Sequence, residues 1–163
     1  MTSKILPKLV VFDLDYTLWP FWIDTHVTPP FRKDKNIIVD LHGSKVDTYK
    51  ESTLVLQKLG ELKCDMAVAS RTSEIDGANQ LIKLLDWESF FKYKEIYPGC
   101  KVSHFKQFHK LSNIRYEDML FFDDERRNIM DLRKLNVTCI LVEDGMTLKL
   151  LHEGLKQYAE KHK

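Results

Sequence analysis

The stretch Val10-Val11-Phe12-Asp13-Leu14-Asp15-Tyr16-Thr17-Leu18 limits what this chain can fold into more than any other. An unbroken apolar run stops abruptly on two carboxylates two positions apart, with a threonine close behind. A run of that kind, without polar alternation, reads as a strand buried on both faces of a parallel sheet. Ligands of open α/β sheets lie just beyond the carboxyl ends of such strands. Asp is also common in turns, so an acidic turn after a strand is the plain structural alternative. Two like charges placed together at a strand end repel each other, however, unless a cation lies between them.

Asp118-Met119-Leu120-Phe121-Phe122-Asp123-Asp124-Glu125 repeats the arrangement far along the chain. Two strand ends carrying carboxylates suggest a hard-cation site built from oxygen ligands of distant segments. Magnesium fits best, because it takes one or two carboxylates and leaves its other positions to water or substrate phosphate. Calcium prefers more protein oxygens, and no EF-hand loop of alternating acids with a central Gly is present. Zinc is disfavoured by the lack of a Cys-x-x-Cys pair or clustered His.

Between these two segments, strand-like and helix-like patterns alternate. Strands are expected over Leu9–Asp13, Asp65–Ser70, Tyr93–Tyr97, Asp118–Asp123 and Val137–Val142. Helices are expected over Asp47–Leu62, Ile75–Leu85, Ser103–Leu111, Arg126–Leu135 and Thr147–Tyr158, with apolar residues recurring on one face. This β/α alternation predicts a doubly wound, mostly parallel five-stranded sheet of Rossmann-like α/β type. Spacing alone does not order the strands. Lys161-His162-Lys163 reads as a frayed tail.

The segment from Trp19 to Thr48 interrupts the rhythm with prolines at 20, 29 and 30 and many aromatics. Ile37–Asp40 and Lys45–Asp47 are expected to pair as a short β-hairpin across His42-Gly43. A long irregular insertion in a compact domain is usually functional, and this flap, at about 19–48 of a single domain spanning 1–163, should overhang the acidic motif. Some of Trp19, Phe21, Trp22 and Phe31 must simply pack it onto the body.

Composition excludes several classes of function. With 163 residues and 44% hydrophobic content the chain can bury a good core. Lys plus Arg number 25 against 24 Asp plus Glu, which gives no electrostatic case for nucleic acid or an anionic membrane. No apolar stretch approaches the roughly 20 residues of a membrane span, and Met1–Lys8 lacks the apolar core of a signal peptide. Cys64, Cys100 and Cys139 form an odd, widely spaced set, as expected of a reducing compartment. A soluble, cytoplasmic, monomeric protein is the expectation.

Asp13 and Asp15, Ser70, Lys101, and Asp123 with Asp124 fall at or just beyond the ends of successive predicted strands. In a parallel sheet those ends share one edge, so the groups can converge. Each suits a task in phosphoryl transfer, which depends on positioning and charge stabilisation. A carboxylate can attack phosphorus, a second carboxyl can protonate the leaving oxygen and later activate water, a Ser hydroxyl can hold phosphate oxygens, and an ammonium can offset charge. Taken singly, Lys101 would read as a surface lysine and Ser70 as a turn or cap residue. His26, His42, His104 and His109 show no metal spacing and read as surface or packing residues. Only the ordered set is specific.

That set resembles the haloacid-dehalogenase superfamily, whose phosphatase branch carries Asp-x-Asp-x-Thr, a Ser or Thr, a Lys and paired acids in this order. The resemblance covers nearly the whole chain and looks closest to the magnesium-dependent phosphatase-1 family. It is carried by Phe12–Trp22 with its Trp-Pro-Phe-Trp run, Ala69-Ser70-Arg71-Thr72, Tyr97-Pro98-Gly99-Cys100-Lys101 and Phe121–Glu125. It implies a capless phosphatase with Asp13 as nucleophile, Asp15 as general acid/base and Lys101 stabilising nucleophile and phosphate. Thr17, Ser70, Arg71 and Trp22 make up the expected substrate-binding set. Mg2+ would be held by the Asp13 carboxylate, the Asp15 backbone carbonyl and Asp123, with Asp124 supporting Lys101 or a metal-bound water. An open site suits a phosphorylated protein, phosphotyrosine included, and also admits a sugar or aryl phosphate. A cysteine phosphatase is excluded by spacing, since the sixth position after Cys64 is Ser70 and after Cys100 is Lys106. The alternative is a receiver-like phospho-acceptor or binding module, but receivers place the accepting Asp on the third strand.

Overall fold

The computed structural model describes residues 5–163. Five strands form one parallel sheet: β1 (Leu9–Phe12), β4 (Asp65–Ser70), β5 (Phe91–Ile96), β6 (Met119–Asp123) and β7 (Thr138–Leu141), in the order β5-β4-β1-β6-β7. The apolar run before Asp13 is buried on both sides because β1 is the central strand, aligned Phe12 to Val68 on β4 and Phe12 to Phe122 on β6. Strand alternation sends Val10 and Phe12 to one face, and Leu9 and Val11 to the other. On the first face lie α1 (Ser52–Glu61), α2 (Ile75–Leu84) and α5 (Leu148–Lys161), and on the second α3 (Lys101–Ser112) and α4 (Arg126–Arg133). Phe12 stacks on Phe122 at 5.4 Å within the first core, and Phe105 meets Phe121 edge-on at 4.9 Å in the second.

The expected α/β alternation is therefore present, with boundary differences that have local causes. Residues 47–51 stay outside α1 because they are tied to the loop after β1: Tyr49 N–H and the Ser52 hydroxyl both donate to Leu18 O, at 3.2 and 2.7 Å. The helix after β5 starts at Lys101 instead of Ser103, so Lys101 is a helical residue rather than part of a surface loop. It is 1% exposed. The C-terminal tail is anchored, not frayed, as far as His162, whose ring stacks on Tyr158 at 3.9 Å and approaches Glu117 O at 2.7 Å.

Between residues 19 and 48 lies a two-stranded hairpin, β2 (Arg32–Asp34) with β3 (Ile37–Val39), closed by Lys35-Asn36 at φ of 52° and 70°. Two successive left-handed residues are the requirement of the tight hairpin turn whose twist matches the strands. The expected pairing of Ile37–Asp40 with Lys45–Asp47 shrinks to one bridge, Val39 to Lys45, with Val46 N–H donating to Ile38 O at 2.8 Å. Asp40 is the reason: its carboxylate accepts from the His42 and Ser44 amides, both at 3.0 Å, and curls that strand into a loop. The same carboxylate accepts from Thr28 N–H at 3.0 Å. Trp19, Phe21 and Phe31 are buried and pack the flap down, whereas Trp22 is half-exposed. Among the described residues no helix is long and apolar enough to cross a membrane.

Candidate active site

The chain reverses its winding direction at β1, and the crevice at the carboxyl ends of β1, β4 and β6 is where an open α/β sheet binds ligands. A cavity of about 260 Å³ opens there, lined by Asp13, Asp15, Trp22, Ser70, Arg71, Lys101, Asp123 and Asp124 among others. All of the residues singled out from the sequence line it except Thr17, which supports it from below.

The loop after β1 sets the two acids. Leu14 O accepts from the amides of Thr17, Leu18 and Trp19, and Tyr16 takes a left-handed conformation at φ 59°. This tight turn returns the Thr17 hydroxyl to Asp13 Oδ2 at 2.9 Å. Asp15 Oδ1 accepts from the indole N–H of Trp19 at 2.7 Å and from Ile23 N–H at 3.2 Å. Burial pushes the Asp15 carboxyl up to about 7, against the Trp19 bond and with help from the charge of Asp13.

Lys101 begins α3 under the site, its ammonium 2.8 Å from Asp13 Oδ1 and 2.6 Å from Asp123 Oδ2. Burial alone would lower its pKa, but the two carboxylates outweigh that and hold it above the ordinary lysine value. Asp123 also accepts from Glu125 N–H at 2.8 Å and from Asn128 at 3.0 Å. Asn128 in turn accepts from the Arg71 guanidinium at 3.2 Å, so Arg71 is tethered at the cavity wall. Ser70, at the end of β4, accepts from Thr72 N–H through its hydroxyl at 3.2 Å.

Carboxylate oxygens of Asp13, Asp123 and Asp124 lie within 4.8 Å of one another. Lys101 is held by Asp13 and Asp123, and Asp124 joins this oxygen cluster. Burial and the neighbouring Asp13 raise Asp123 to about 6. Burial, a hydrogen bond shared with Asp13 and the surrounding charges raise Asp124 to about 9. One ammonium for three clustered carboxylates leaves the group short of positive charge, which is the electrostatic setting a hard divalent cation fits.

One contributor escapes the sequence reading: Asn128 looks like any polar residue of α4, and only its burial marks it. His104, expected at the surface or in packing, takes the packing role and is fully buried. Its Nε2 lies 2.9 Å from both Ser70 O and Tyr97 O, and its ring stacks on Tyr97 at 4.3 Å.

The sheet order and the placement of the acids define a haloacid-dehalogenase-like hydrolase fold. The Acid Phosphatase family profile matches residues 5–161, and the chain belongs to that family. It is 53% identical to human magnesium-dependent phosphatase 1 over 156 residues, 95% of this chain and 89% of that protein. A HAD-like hydrolase superfamily protein of Schizosaccharomyces pombe is 44% identical over 144 residues, 81% of this chain and 83% of that one. Among solved structures, the N-terminal phosphatase-domain part of a Bacteroides fragilis protein, in complex with magnesium, superposes with a TM-score of 0.66 at 17% identity. That match covers 91% of this chain and 40% of the solved one, and at such identity it speaks for the fold.

Proposed function

We propose that the protein is a magnesium-dependent phosphomonoester hydrolase working through an aspartyl-phosphate on Asp13. The observation that carries this reading is the buried Lys101 ammonium bonded to both Asp13 and Asp123 beneath one open cavity. The Lys101 ammonium, 2.8 Å from Asp13 Oδ1, offsets the charge of an entering phosphate. The Thr17 hydroxyl fixes the second Asp13 oxygen, so the attacking carboxylate cannot rotate. Asp13 attacks phosphorus, the bond from phosphorus to the leaving oxygen breaks, and Asp15 gives that oxygen its proton, releasing an alcohol or phenol. The Asp15 carboxylate then takes a proton from water as the water attacks the phosphoaspartate. Inorganic phosphate leaves and Asp13 regains its electron pair. A carboxyl raised to about 7 suits both halves of that cycle.

Magnesium would be held by Asp13, Asp123 and Asp124, with the Asp15 backbone carbonyl as a further oxygen, and would supply charge neutralisation at the phosphate. The Ser70 hydroxyl and Arg71 are assigned to phosphate oxygens. Trp22 stands at the mouth, stacked on His26 at 5.2 Å and edge-on to Tyr16 at 5.6 Å, where it would contact an aryl or otherwise bulky leaving group. No cap domain covers the cavity among the described residues, and a phosphorylated protein or a sugar or aryl phosphate can reach Asp13. The test is hydrolysis of 4-nitrophenyl phosphate with magnesium and with EDTA, together with mapping of trapped phosphate. Full turnover in metal-free buffer, or phosphate on Ser70 or a cysteine, overturns the proposal.

A further inference from the structure

Trp19 is the residue of the flap root that packing alone does not account for. Its ring is fully buried and parallel to those of Phe21 at 5.6 Å and Trp87 at 6.3 Å, and Trp87 is itself pinned by its N–H to Thr53 Oγ1 at 3.0 Å. The backbone is fixed as well, since Trp19 O accepts from Tyr16 N–H at 2.7 Å. A buried indole N–H needs a partner, and this clamped ring delivers it to Asp15 Oδ1 at 2.7 Å. The Ile23 amide donates to that same oxygen at 3.2 Å. The protonated oxygen of a carboxyl is the poorer acceptor, so the oxygen that accepts two N–H bonds leaves the proton to its partner oxygen.

We infer that Trp19 is a positioning residue for proton transfer: with the Ile23 amide it reserves Asp15 Oδ1 as an acceptor and so places the transferable proton on Oδ2. Asp15 lines the cavity, so the proton is presented to the leaving oxygen instead of being lost to the flap. The role rests on Asp15 being the proton donor of the proposed reaction. In that step the electron pair of the broken bond stays on the leaving oxygen, the Oδ2 proton joins it, and the new Asp15 carboxylate keeps both N–H bonds. The flap is thus part of the acid/base apparatus and not only a wall for substrate.

A proton donor matters for a poor leaving group and hardly at all for 4-nitrophenolate, which departs unprotonated. Trp19→Phe keeps most of the ring stack and removes the N–H. It should lower kcat/KM for an alkyl phosphate by about 10- to 100-fold, the range of a hydrogen bond to a charged group, and for 4-nitrophenyl phosphate much less. Trp87→Phe trims the same stack without touching Asp15 and should affect both substrates alike. If Trp19→Phe does not fold, 3-benzothienylalanine at position 19 replaces the N–H by sulfur in an unchanged ring outline. Equal losses on both substrates in the folded variant overturn the inference. Asp15→Asn separates the two levels. A leaving-group-dependent loss there but not at position 19 overturns the Trp19 role alone, whereas no such dependence in either variant overturns the acid/base assignment and the Trp19 role with it.

Discussion

The Lys101 ammonium lies 2.8 Å from Asp13 Oδ1, bridging 88 positions of chain, at a point where 1% of the lysine remains exposed. A lysine is buried at such a cost in hydration only when anions meet it, and here Asp123 meets it as well. Lys101→Met leaves two buried carboxylates without their partner. It should destabilise the metal-free protein by about 3–5 kcal/mol, measured by urea unfolding, and abolish turnover. Magnesium should restore part of the stability, because a cation binding only the folded state stabilises it. Asp123→Asn added to Lys101→Met should cost less than the sum of the two single changes. Additive losses would mean that the pair is not energetically coupled.

If Asp124 belongs to the proposed ligand set, magnesium must displace a proton to bind. Burial together with Asp13 holds Asp124 at about 9, so near neutral pH it enters the metal-free site protonated. Metal ligands bind deprotonated, which makes affinity rise with pH and binding release protons. Calorimetric titration at pH 7 in two buffers of different ionisation heat should give different apparent heats of magnesium binding. Asp124→Asn should remove most of that difference and weaken binding. EDTA should abolish turnover, and excess magnesium should restore it. Buffer-independent heats would remove Asp124 from the ligand set.

The fold was legible because it rests on strong local signals, and the acids stood out as candidates for the same reason. Unbroken apolar runs such as Leu9–Phe12 have no stable place except a buried strand, and carboxylates at their ends are costly without a purpose. The longer β2–β3 pairing was not legible because Arg32-Lys33-Asp34 is fully polar, with no alternation to mark a strand, and its turn is made by Lys35-Asn36 instead of a glycine pair. His42-Gly43 offered the more familiar turn signal, but Asp40 diverts the chain into a loop there. Lys101 and Asn128 show the other limit. Burial of a polar side chain is decided by partners far away in the chain, and nothing within a few residues of either announces it.

His104 joins the ends of β4 and β5 to the first turn of α3, and hence Ser70 to Lys101. Burial pushes its pKa below the ordinary histidine value, only partly offset by the carbonyls of Tyr97, Ser70 and Cys100. The folded protein therefore takes up a proton there less readily than the unfolded chain. Its contribution is complete above about pH 6.5 and is lost as the pH falls from there towards the lowered value. His104→Ala should cost about 1–3 kcal/mol near pH 7.5 by leaving buried carbonyls without a donor, and the gap in Tm should narrow towards pH 5. It should also raise KM for phosphate esters through a displaced Ser70. A gap in Tm that does not change with pH would show that packing on Tyr97 is the whole contribution.

Trp22 is 49% exposed at the cavity mouth, and its ring is held by Tyr16 and by His26, whose Nδ1 accepts from Trp22 N–H at 2.9 Å. An aromatic contact is worth about 0.5–1.5 kcal/mol beyond area burial. Trp22→Ala should therefore lower kcat/KM for aryl phosphates by about 2- to 13-fold relative to a small alkyl phosphate. This bias is opposite to the one expected for Trp19→Phe. Equal losses on both substrates, with the fold intact, would return Trp22 to a packing role.

Asp40 decides whether the flap holds its shape as the solution is acidified. Its carboxylate collects the amides of Thr28, Ser44 and His42, and the Thr28 bond does most to keep its pKa below the ordinary carboxylate value. A depressed carboxylate stabilises the folded state fully above the unfolded-state value, and loses that stabilisation as pH falls through the lowered one. The three amides should thus exchange with solvent slowly at neutral pH and lose protection relative to the intrinsic rate under strong acid. Those of β1 and β6 should stay protected, because opening of the flap is local. Asp40→Ala should bring the same loss at neutral pH. The opening should also reach the site, because the flap is joined to the body where Phe31 N–H meets Gln80 Oε1 at 2.6 Å and where Ile23 N–H meets Asp15. Turnover of alkyl phosphates should then fall more than that of 4-nitrophenyl phosphate. If the amides lose protection with no change in either rate, the flap beyond Trp22 is dispensable for catalysis and its work ends at the Trp19–Ile23 root.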